Sequence, residues 1–455
     1  MQTSQAAVRS PQSVLDYLAH VGSLNDRYRS GAIHAYVPET LRDSERTLEE
    51  LVEQHLPASH AALAAASRSL FLSLPVAFDP AESVGPYLAA IDRDPVNEPY
   101  RFLDMGALIA TQAFGENDPD VVAAILESLP FVTSRYAHSE YQTVLSLRLK
   151  AELNRIAPAG TPRHFVVNTG AEAVENAIKS VLLNRVMTSG DREGGFIVSF
   201  EGAFHGRTLG SLAVTHRRRA RLGFPTFDWP HITFPFFDAG APKETARREE
   251  RSLKQLWDLL VSGRLPHADK SRDTYRREID AIDEFLTAPG QDVNAFVQAQ
   301  RARLSADVVR RSRRVAAVLV EPIQGEGGVR LTSPAFMRRL RLLTRIYEVP
   351  LVFDEVQTGW GMTGSLWAHE QFELRVRPTS SRGRRRRRTA CSSSARSWPP
   401  SFRKRRSSTR PGRAIRSAWC GCLPCWTSSI STRCAGPAPA RAPGWKRSRA
   451  STAKS

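Results

Sequence analysis

From about residue 100 the chain alternates short apolar runs with longer amphipathic stretches. Phe196-Ile-Val-Ser-Phe200, Val315-Ala-Ala-Val-Leu-Val320 and Pro350-Leu-Val-Phe353 are almost wholly apolar, and each stops at a polar or glycine-rich loop. Strands without polar alternation are buried on both faces, as in a parallel sheet covered by helices. Phe165-Val-Val167 reads as a further strand leading into Asn168-Thr-Gly-Ala171 and a helix. Arg101-Phe-Leu-Asp-Met105 reads as a short strand, and 119–128 as a helix opened by Asn117-Asp118. Residues 1–95 read as a helical N-terminal segment, amphipathic over 47–56 and Ala-rich over 60–74, punctuated by Pro57, Pro75 and Pro80. A charged stretch over 239–314, clearest at 249–260, reads as a helical elaboration of the sheet. The expected fold class is α/β: a mostly parallel, doubly wound sheet sandwiched by helices over 96–374, with ligands held past the strand ends.

Composition changes this picture in one place. Residues 375–455 contain no Asp, Glu or His, all five cysteines, and 22 of the 64 Lys and Arg. The other 42 basic residues face 46 acidic ones, a net of −4, so the net +18 belongs to the last 81 residues. Such a segment reads as a disordered, basic, low-complexity tail. The clusters at 384–388 and 403–406 suit a nucleic-acid arm. An RNA module would add ordered aromatics, whereas the four tail tryptophans are scattered, so nucleic acid is an unlikely partner. Cys420-x-Cys422-x2-Cys425 with Cys434 has too short a first gap for a zinc site, and no metal is expected. The cysteine-free body, the absence of a signal-peptide core, and the lack of any run near ~20 apolar residues point to a cytoplasmic protein with no membrane partner.

Four motifs carry candidate chemistry. Asn168-Thr-Gly-Ala-Glu172 opens a helix with free amides and a glycine that permits close approach, which suits either a phosphate site or a plain helix cap. Glu201-Gly-Ala-Phe-His-Gly-Arg207 offers an aromatic face, a ring nitrogen and a fixed cation able to hold a carboxylate, or is a surface loop with a core Phe. Glu321-Pro-Ile-Gln-Gly-Glu-Gly-Gly328 sets two carboxylates around a bend, as site-lining groups or turn formers. Val352-Phe-Asp-Glu-Val-Gln-Thr-Gly359 ends a buried strand on Asp354, which suits pairing with a protonated ring nitrogen or simple capping.

In this order the four motifs resemble the class III, pyridoxal-phosphate-dependent aminotransferases, over about residues 90–374. The stretch Gly223-Phe-Pro-Thr-Phe-Asp-Trp-Pro-His-Ile232 looks most like the lysine ε-aminotransferase branch. The resemblance implies a fold type I transferase, pyridoxal 5'-phosphate as cofactor, a homodimer, and transfer of an ω-amino group to 2-oxoglutarate. It implies that Gly170 and Ala171 bind the cofactor phosphate and Phe204 stacks on its ring. His205 joins the cofactor set, Asp354 holds the pyridine nitrogen and Gln357 approaches the ring hydroxyl. Arg207 takes a substrate carboxylate, with Glu326 as its partner or as a substrate-selecting gate.

The family's reaction also needs a lysine that bonds to the cofactor and moves the proton. The resemblance puts it roughly thirty residues after Asp354, at Arg384–Arg385, where the chain reads Gly383-Arg-Arg-Arg-Arg-Arg-Thr389. Arginine stays protonated and cannot replace it. Catalytic residues are therefore absent as written, and the C-terminal small domain is missing. The tail reads as a frameshift starting between Leu374 and Arg382. Residues 383–389 can be encoded GGG CGA AGA AGG CGC AGA ACG, which two bases later reads Ala-Lys-Lys-Ala-Gln-Asn. Residues 407–427 can likewise be encoded so that a neighbouring frame gives a family-like Asn-Thr-Thr-Trp-Glu-Gly-Asp motif and an amphipathic helix. The expected protein is an aminotransferase fold without turnover. The alternative is a non-catalytic cofactor-binding protein with a nucleic-acid-binding tail.

Overall fold

The computed structural model describes residues 14–36, 55–66, 76–132, 142–158, 161, 163–190, 195–265, 272–288, 290–374 and 430–433. Two compact units divide the chain, one holding residues up to Ala173 with 355–371, the other 174–354 with 372–374 and 430–433. The division at Ala173 differs from the boundary expected near residue 95.

In the first unit, α1 (Val14–Arg29) and α2 (Pro57–Ala66) precede three antiparallel strands, β1 (Phe78–Val84), β2 (Tyr87–Arg93) and β3 (Pro99–Leu103), ordered β1-β2-β3. The expectation of a helical segment to residue 95 is thus corrected over 78–93. Pro80 and Pro86 cannot sit in a helix interior, and Gly85-Pro86 supplies the link between β1 and β2. The buried Asp92 on β2 accepts the amides of Ala58 (2.6 Å) and Ser59 (3.0 Å), capping α2 from the sheet. Helices α3 (Pro119–Val132) and α4 (Val144–Ile156) follow. Residues 165–167 are not a strand: Phe165 is 74% exposed and Val166 45%, so this apolar run finds no sheet partner.

The second unit is built on a five-stranded sheet. Its strands are β4 (Phe196–Phe200), β5 (His231–Ile232), β6 (Val315–Val320), β9 (Leu351–Asp354) and β10 (Ile430–Arg433), in the order β10-β9-β6-β4-β5. The first four run parallel, and β10 pairs antiparallel with the edge of β9. These four residues are the described part of the tail; the rest of the expected disordered segment, including Arg384–Arg385, lies outside the described residues. Every residue of β6 and β9 is buried. Their alternation divides the core in two. Val198, Phe200, Val318, Val320, Leu351 and Phe353 join Leu253, Leu256, Trp257, Phe336, Leu340 and Leu343 on one side. Ile197, Ala317, Leu319 and Val352 join Val174, Ile178 and Val181 on the other.

The helices of those two faces explain why uniformly apolar strands are tolerated. Helix α5 (Gly170–Ser189) supplies Val174, Ile178 and Val181. The opposite face is covered by α7 (Pro242–Ser262), α8 (Arg272–Thr287) and α11 (Pro334–Ile346), with α9 (Val293–Ala302) and α10 (Ala306–Ser312) beside them. Their starts are specified locally: the side chains of Asp292, Ser305 and Ser333 accept amides in the first turns of α9, α10 and α11. Leu256, Phe336 and Leu340 are fully buried, each contributing roughly 1.5–3 kcal/mol of transfer free energy. The helical stretch expected at 239–314 is therefore helical and shares the sheet's core. Among the described residues no helix is long and apolar enough to cross a membrane.

Candidate active site

The second unit gathers its unusual chemistry at the carboxyl ends of β4, β6 and β9. Val320 pairs in register with Phe353, so the next residues, Glu321 and Asp354, leave adjacent parallel strands at the same level. The loop after β4 bridges them. Phe204 donates its amide to Glu321 Oε2 (3.3 Å), and His205 Nδ1 lies 2.7 Å from Asp354 Oδ2. The His205 and Asp354 side chains are 0% and 4% exposed. His205 Nε2 is buried without a hydrogen-bond partner among the described residues. The loop is pinned from behind as well. The amide of His205 donates to Thr215 Oγ1 (2.9 Å), and the Thr215 hydroxyl donates to Gly206 O (3.0 Å). The amide of Gly202 donates to His216 Nδ1 (3.1 Å).

Electrostatics separates the two carboxyls. Asp354 has an imidazole as its partner. Burial pushes Glu321 well above the usual carboxylate range, and the charges of Asp354 and Glu326 push it further; only the Phe204 amide opposes this. Burial and its acidic neighbours thus favour the protonated form of Glu321. His231, on β5, is driven down to about 3 by burial, then by His216, Arg221 and His205. It is neutral, with Nε2 accepting from Arg221 (3.0 Å), so its Nδ1–H donates to Ser199 Oγ (2.7 Å).

Arg207 is exposed, with its guanidinium carbon 5.8 Å above the centre of the Phe204 ring. Glu326, expected as the partner of Arg207 or as a substrate-selecting gate, is held by Arg217, whose Nη1 meets Oε2 and whose Nη2 donates to the Glu326 carbonyl (3.0 Å). Arg217 enters the site because the chain turns back after Thr215 and His216, which fasten the same loop.

In the first unit, the turn after β9 and the start of α5 form a second feature. Thr169 and Glu172 make a reciprocal capping box, Glu172 N to Thr169 Oγ1 (3.1 Å) and Thr169 N to Glu172 Oε2 (3.1 Å). The amides of Gly170 and Ala171, in the first turn, have no acceptor within the helix. A Cβ on Gly170 would meet Val356 Cγ1 at 3.1 Å, so glycine lets the helix start pack closely on the segment bearing the half-buried Gln357 without shifting the Val356 side chain. That segment is fixed by the buried Glu355, which accepts the amides of Ala368 (2.7 Å) and His369 (3.1 Å) and pairs with His369 Nδ1.

A family model for class III aminotransferases matches residues 81–265 and 271–378. The chain belongs to the class III aminotransferases. Members of this family depend on pyridoxal 5'-phosphate. Among curated relatives, the 4-aminobutyrate aminotransferase of Emericella nidulans is 30% identical over 334 residues, covering 67% of this chain and 56% of the relative. The L-lysine-epsilon aminotransferase of Mycobacterium bovis is 29% identical over 285 residues, covering 60% and 53%. A solved lysine aminotransferase from M. tuberculosis superposes with a TM-score of 0.51 at 28% identity, covering 69% of this chain and 62% of that one. The chain thus spans a little over half the length of the curated relatives it matches.

Three residues of the loop-and-strand-end cluster were not singled out by sequence reasoning: Glu321 as a buried carboxyl raised above the usual carboxylate range, Arg217, and Thr215. Glu321 carried a usable signal, because like Asp354 it ends a run of uniformly apolar residues. Arg217 had none, lying in Arg217-Arg-Arg-Ala-Arg221, where sequence does not show which guanidinium turns inward. Among the described residues there is no cluster of His, Cys, Asp and Glu able to hold a metal ion; Cys420, Cys422, Cys425 and Cys434 lie outside them.

Proposed function

We propose that this chain carries the cofactor site of an ω-amine transaminase, with the ε-amine of lysine as donor and 2-oxoglutarate as acceptor. The observation that carries the reading is the buried His205–Asp354 pair at the strand ends, beneath a loop that presents Phe204. In the second unit the residues fit the ring of pyridoxal 5'-phosphate: a buried carboxylate for the ring nitrogen, an aromatic face, and a buried nitrogen on His205 without a hydrogen-bond partner among the described residues; in the first unit, taken by itself, the helix start at Gly170 suits a phosphate. When bound, the cofactor supplies an electron sink that lets the amino group leave one carbon skeleton for another.

The protein's own groups then have distinct tasks. Asp354 keeps a negative charge at the ring nitrogen, and His205 orients it by donating Nδ1–H. Glu321, being neutral, seats the Phe204 backbone without competing for that charge. Gly170 and Ala171 hold the phosphate with their amides and the helix dipole, and Gln357 reaches the ring hydroxyl. Arg207 binds the substrate carboxylate, and Glu326, held by Arg217, stands as a gate beside it. Residues 96–374 form the cofactor-binding domain, and the intact enzyme is a cytoplasmic homodimer.

The chain as written holds the cofactor without a covalent bond and does not turn over, because arginine replaces the lysine at 384–385. The tail is a shifted reading frame. Support comes from its composition and from the lysine context that a neighbouring frame yields. The test is to titrate the protein with pyridoxal 5'-phosphate and reduce with borohydride. Saturable binding without covalent trapping is expected; trapping on the polypeptide would overturn the missing-lysine reading. Resequencing the coding DNA from the Asp354 codon onward tests the frame directly, and restoring the frame is expected to restore trapping.

A further inference from the structure

The loop bearing Phe204, His205 and Arg207 is fastened to Glu321, Asp354, Thr215 and His216, but its downstream end is fastened by a different residue. It runs into α6 (Leu209–Val214), whose N-cap Thr208 makes no side-chain bond to the helix's own amides. That duty falls to Glu175, which projects from α5. Glu175 Oε1 accepts from the Thr208 hydroxyl (2.6 Å), the Gly210 amide (2.9 Å) and the Ser211 amide (3.1 Å). A carboxylate facing the free amides of a helix start makes charge-assisted bonds at the positive end of the dipole. Gly210 is shaped to this contact: a Cβ there would stand 2.3 Å from Glu175 Oε2 and 2.8 Å from its carboxyl carbon. Its backbone needs no glycine for conformational reasons, and alanine would favour a helix. The atoms a side chain would meet are the far end of Glu175, so a side chain at 210 displaces the carboxylate rather than the backbone.

We propose that Glu175 is a positioning residue for the candidate site: by clamping Thr208, Gly210 and Ser211 it sets the direction in which Arg207 and Phe204 are presented. The proposal rests on the functional reading above and extends it to a residue that touches neither cofactor nor substrate. Glu175 is half-buried, Thr208 exposed and Gly210 half-buried, so water can reach two of the three donors when the carboxylate is lost, while Ser211 is buried. The chief effect falls on position, with little effect on folding.

The experiment compares wild type, Glu175→Ala, Glu175→Gln and Gly210→Ala. It measures pyridoxal 5'-phosphate affinity, the circular dichroism induced in the bound cofactor, and hydrogen exchange at the amides of residues 210 and 211. Glu175→Ala is expected to lower affinity about tenfold, weaken the induced dichroism and lose amide protection, with the melting temperature little changed. Glu175→Gln, whose amide oxygen still accepts both backbone donors, is expected to recover most of the affinity. Gly210→Ala is expected to reproduce the Glu175→Ala phenotype by displacing the carboxylate, and it serves should Glu175→Ala fail to fold. Wild-type affinity and dichroism in Glu175→Ala or in Gly210→Ala would overturn the proposal. A flat wild-type titration would instead overturn the functional reading, and the two failures are distinguished by the wild type alone.

Discussion

Two buried carboxyls, one at the strand ends and one in the helical layer, are held by opposite means. Asp354 meets an imidazole, a partner that can take up or give a proton. Glu278, on α8, meets two neutral donors: Trp257 Nε1 (2.8 Å) and the Tyr347 hydroxyl (2.9 Å) both point at its Oε2. Its Oε1 is buried with no hydrogen-bond partner among the described residues. Burial raises Glu278 above the usual carboxylate range despite those two hydrogen bonds. Burial likewise raises Tyr347, so the phenol remains a donor. Burial thus favours the protonated form of Glu278, which ties α7, α8 and the residue after α11 together through neutral donors, whereas Asp354 at the strand ends faces a titratable imidazole. Burial alone does not mark a functional carboxyl; the protonic flexibility of its partner does.

The largest test breaks the His205–Asp354 pair. Replacing His205 by Leu removes the imidazole that meets the buried Asp354 carboxyl, and we expect a loss of about 3 kcal/mol in unfolding free energy at pH 7. Chemical denaturation measures it, and a cost below about 1 kcal/mol would mean that the His205–Asp354 contact contributes little to the fold. Next in size, Asp354→Asn keeps the shape but removes the charge offered to the ring nitrogen. Pyridoxal 5'-phosphate affinity should fall at least about tenfold, read by titration. An unchanged affinity would put the ring nitrogen elsewhere.

Glu278→Gln sharpens the other half of the comparison. A carboxyl raised in the folded state binds its proton more tightly there than in the unfolded chain. Its contribution is present below the unfolded carboxylate range and is lost as pH rises through the folded value. Gln keeps an acceptor for Trp257 and Tyr347 but never ionises. The variant should match wild type near pH 4 and exceed it by roughly 1 kcal/mol near pH 8. Denaturation at the two pH values checks this; equal stabilities at pH 8 would mean that Glu278 ionises without penalty.

Much of this was legible because apolar runs have few alternatives. Residues 196–200, 315–320 and 350–353 contain nothing that pays to be wet, so a doubly covered sheet followed, and with it the site at the strand ends. Residues 165–167 show the limit, being equally apolar yet exposed and unpaired, since hydrophobicity does not guarantee a neighbour. The strands at 78–93 were hidden by their alanines; Pro80 was read only as punctuation and the Gly85-Pro86 turn was not read at all. Phe204, His205 and Asp354 came from motif order. Their contact, 149 positions apart in sequence, could not be read from either motif alone. Partner choice was least legible, because Arg207, Arg217, Arg218, Arg219 and Arg221 offer the same chemistry and only backbone direction selects Arg217 for Glu326.

That selection yields the smallest expected effect. Arg217 and Glu326 are 46% and 35% exposed, so water screens their attraction and both side chains pay entropy to meet. Arg217→Ala should change stability by less than about 0.5 kcal/mol, and the difference should shrink further at high salt. Its electrostatic consequence reaches further inward. Glu326 already raises Glu321, and removing its cation leaves that charge less compensated. Glu321 is then pushed higher still, which favours its protonated form over a wider pH range. Arg217→Ala should accordingly alter the pH dependence of cofactor binding more than its strength at neutral pH. A loss above about 1 kcal/mol in unfolding free energy would show instead that this surface pair is part of the scaffold and that the loop depends on it.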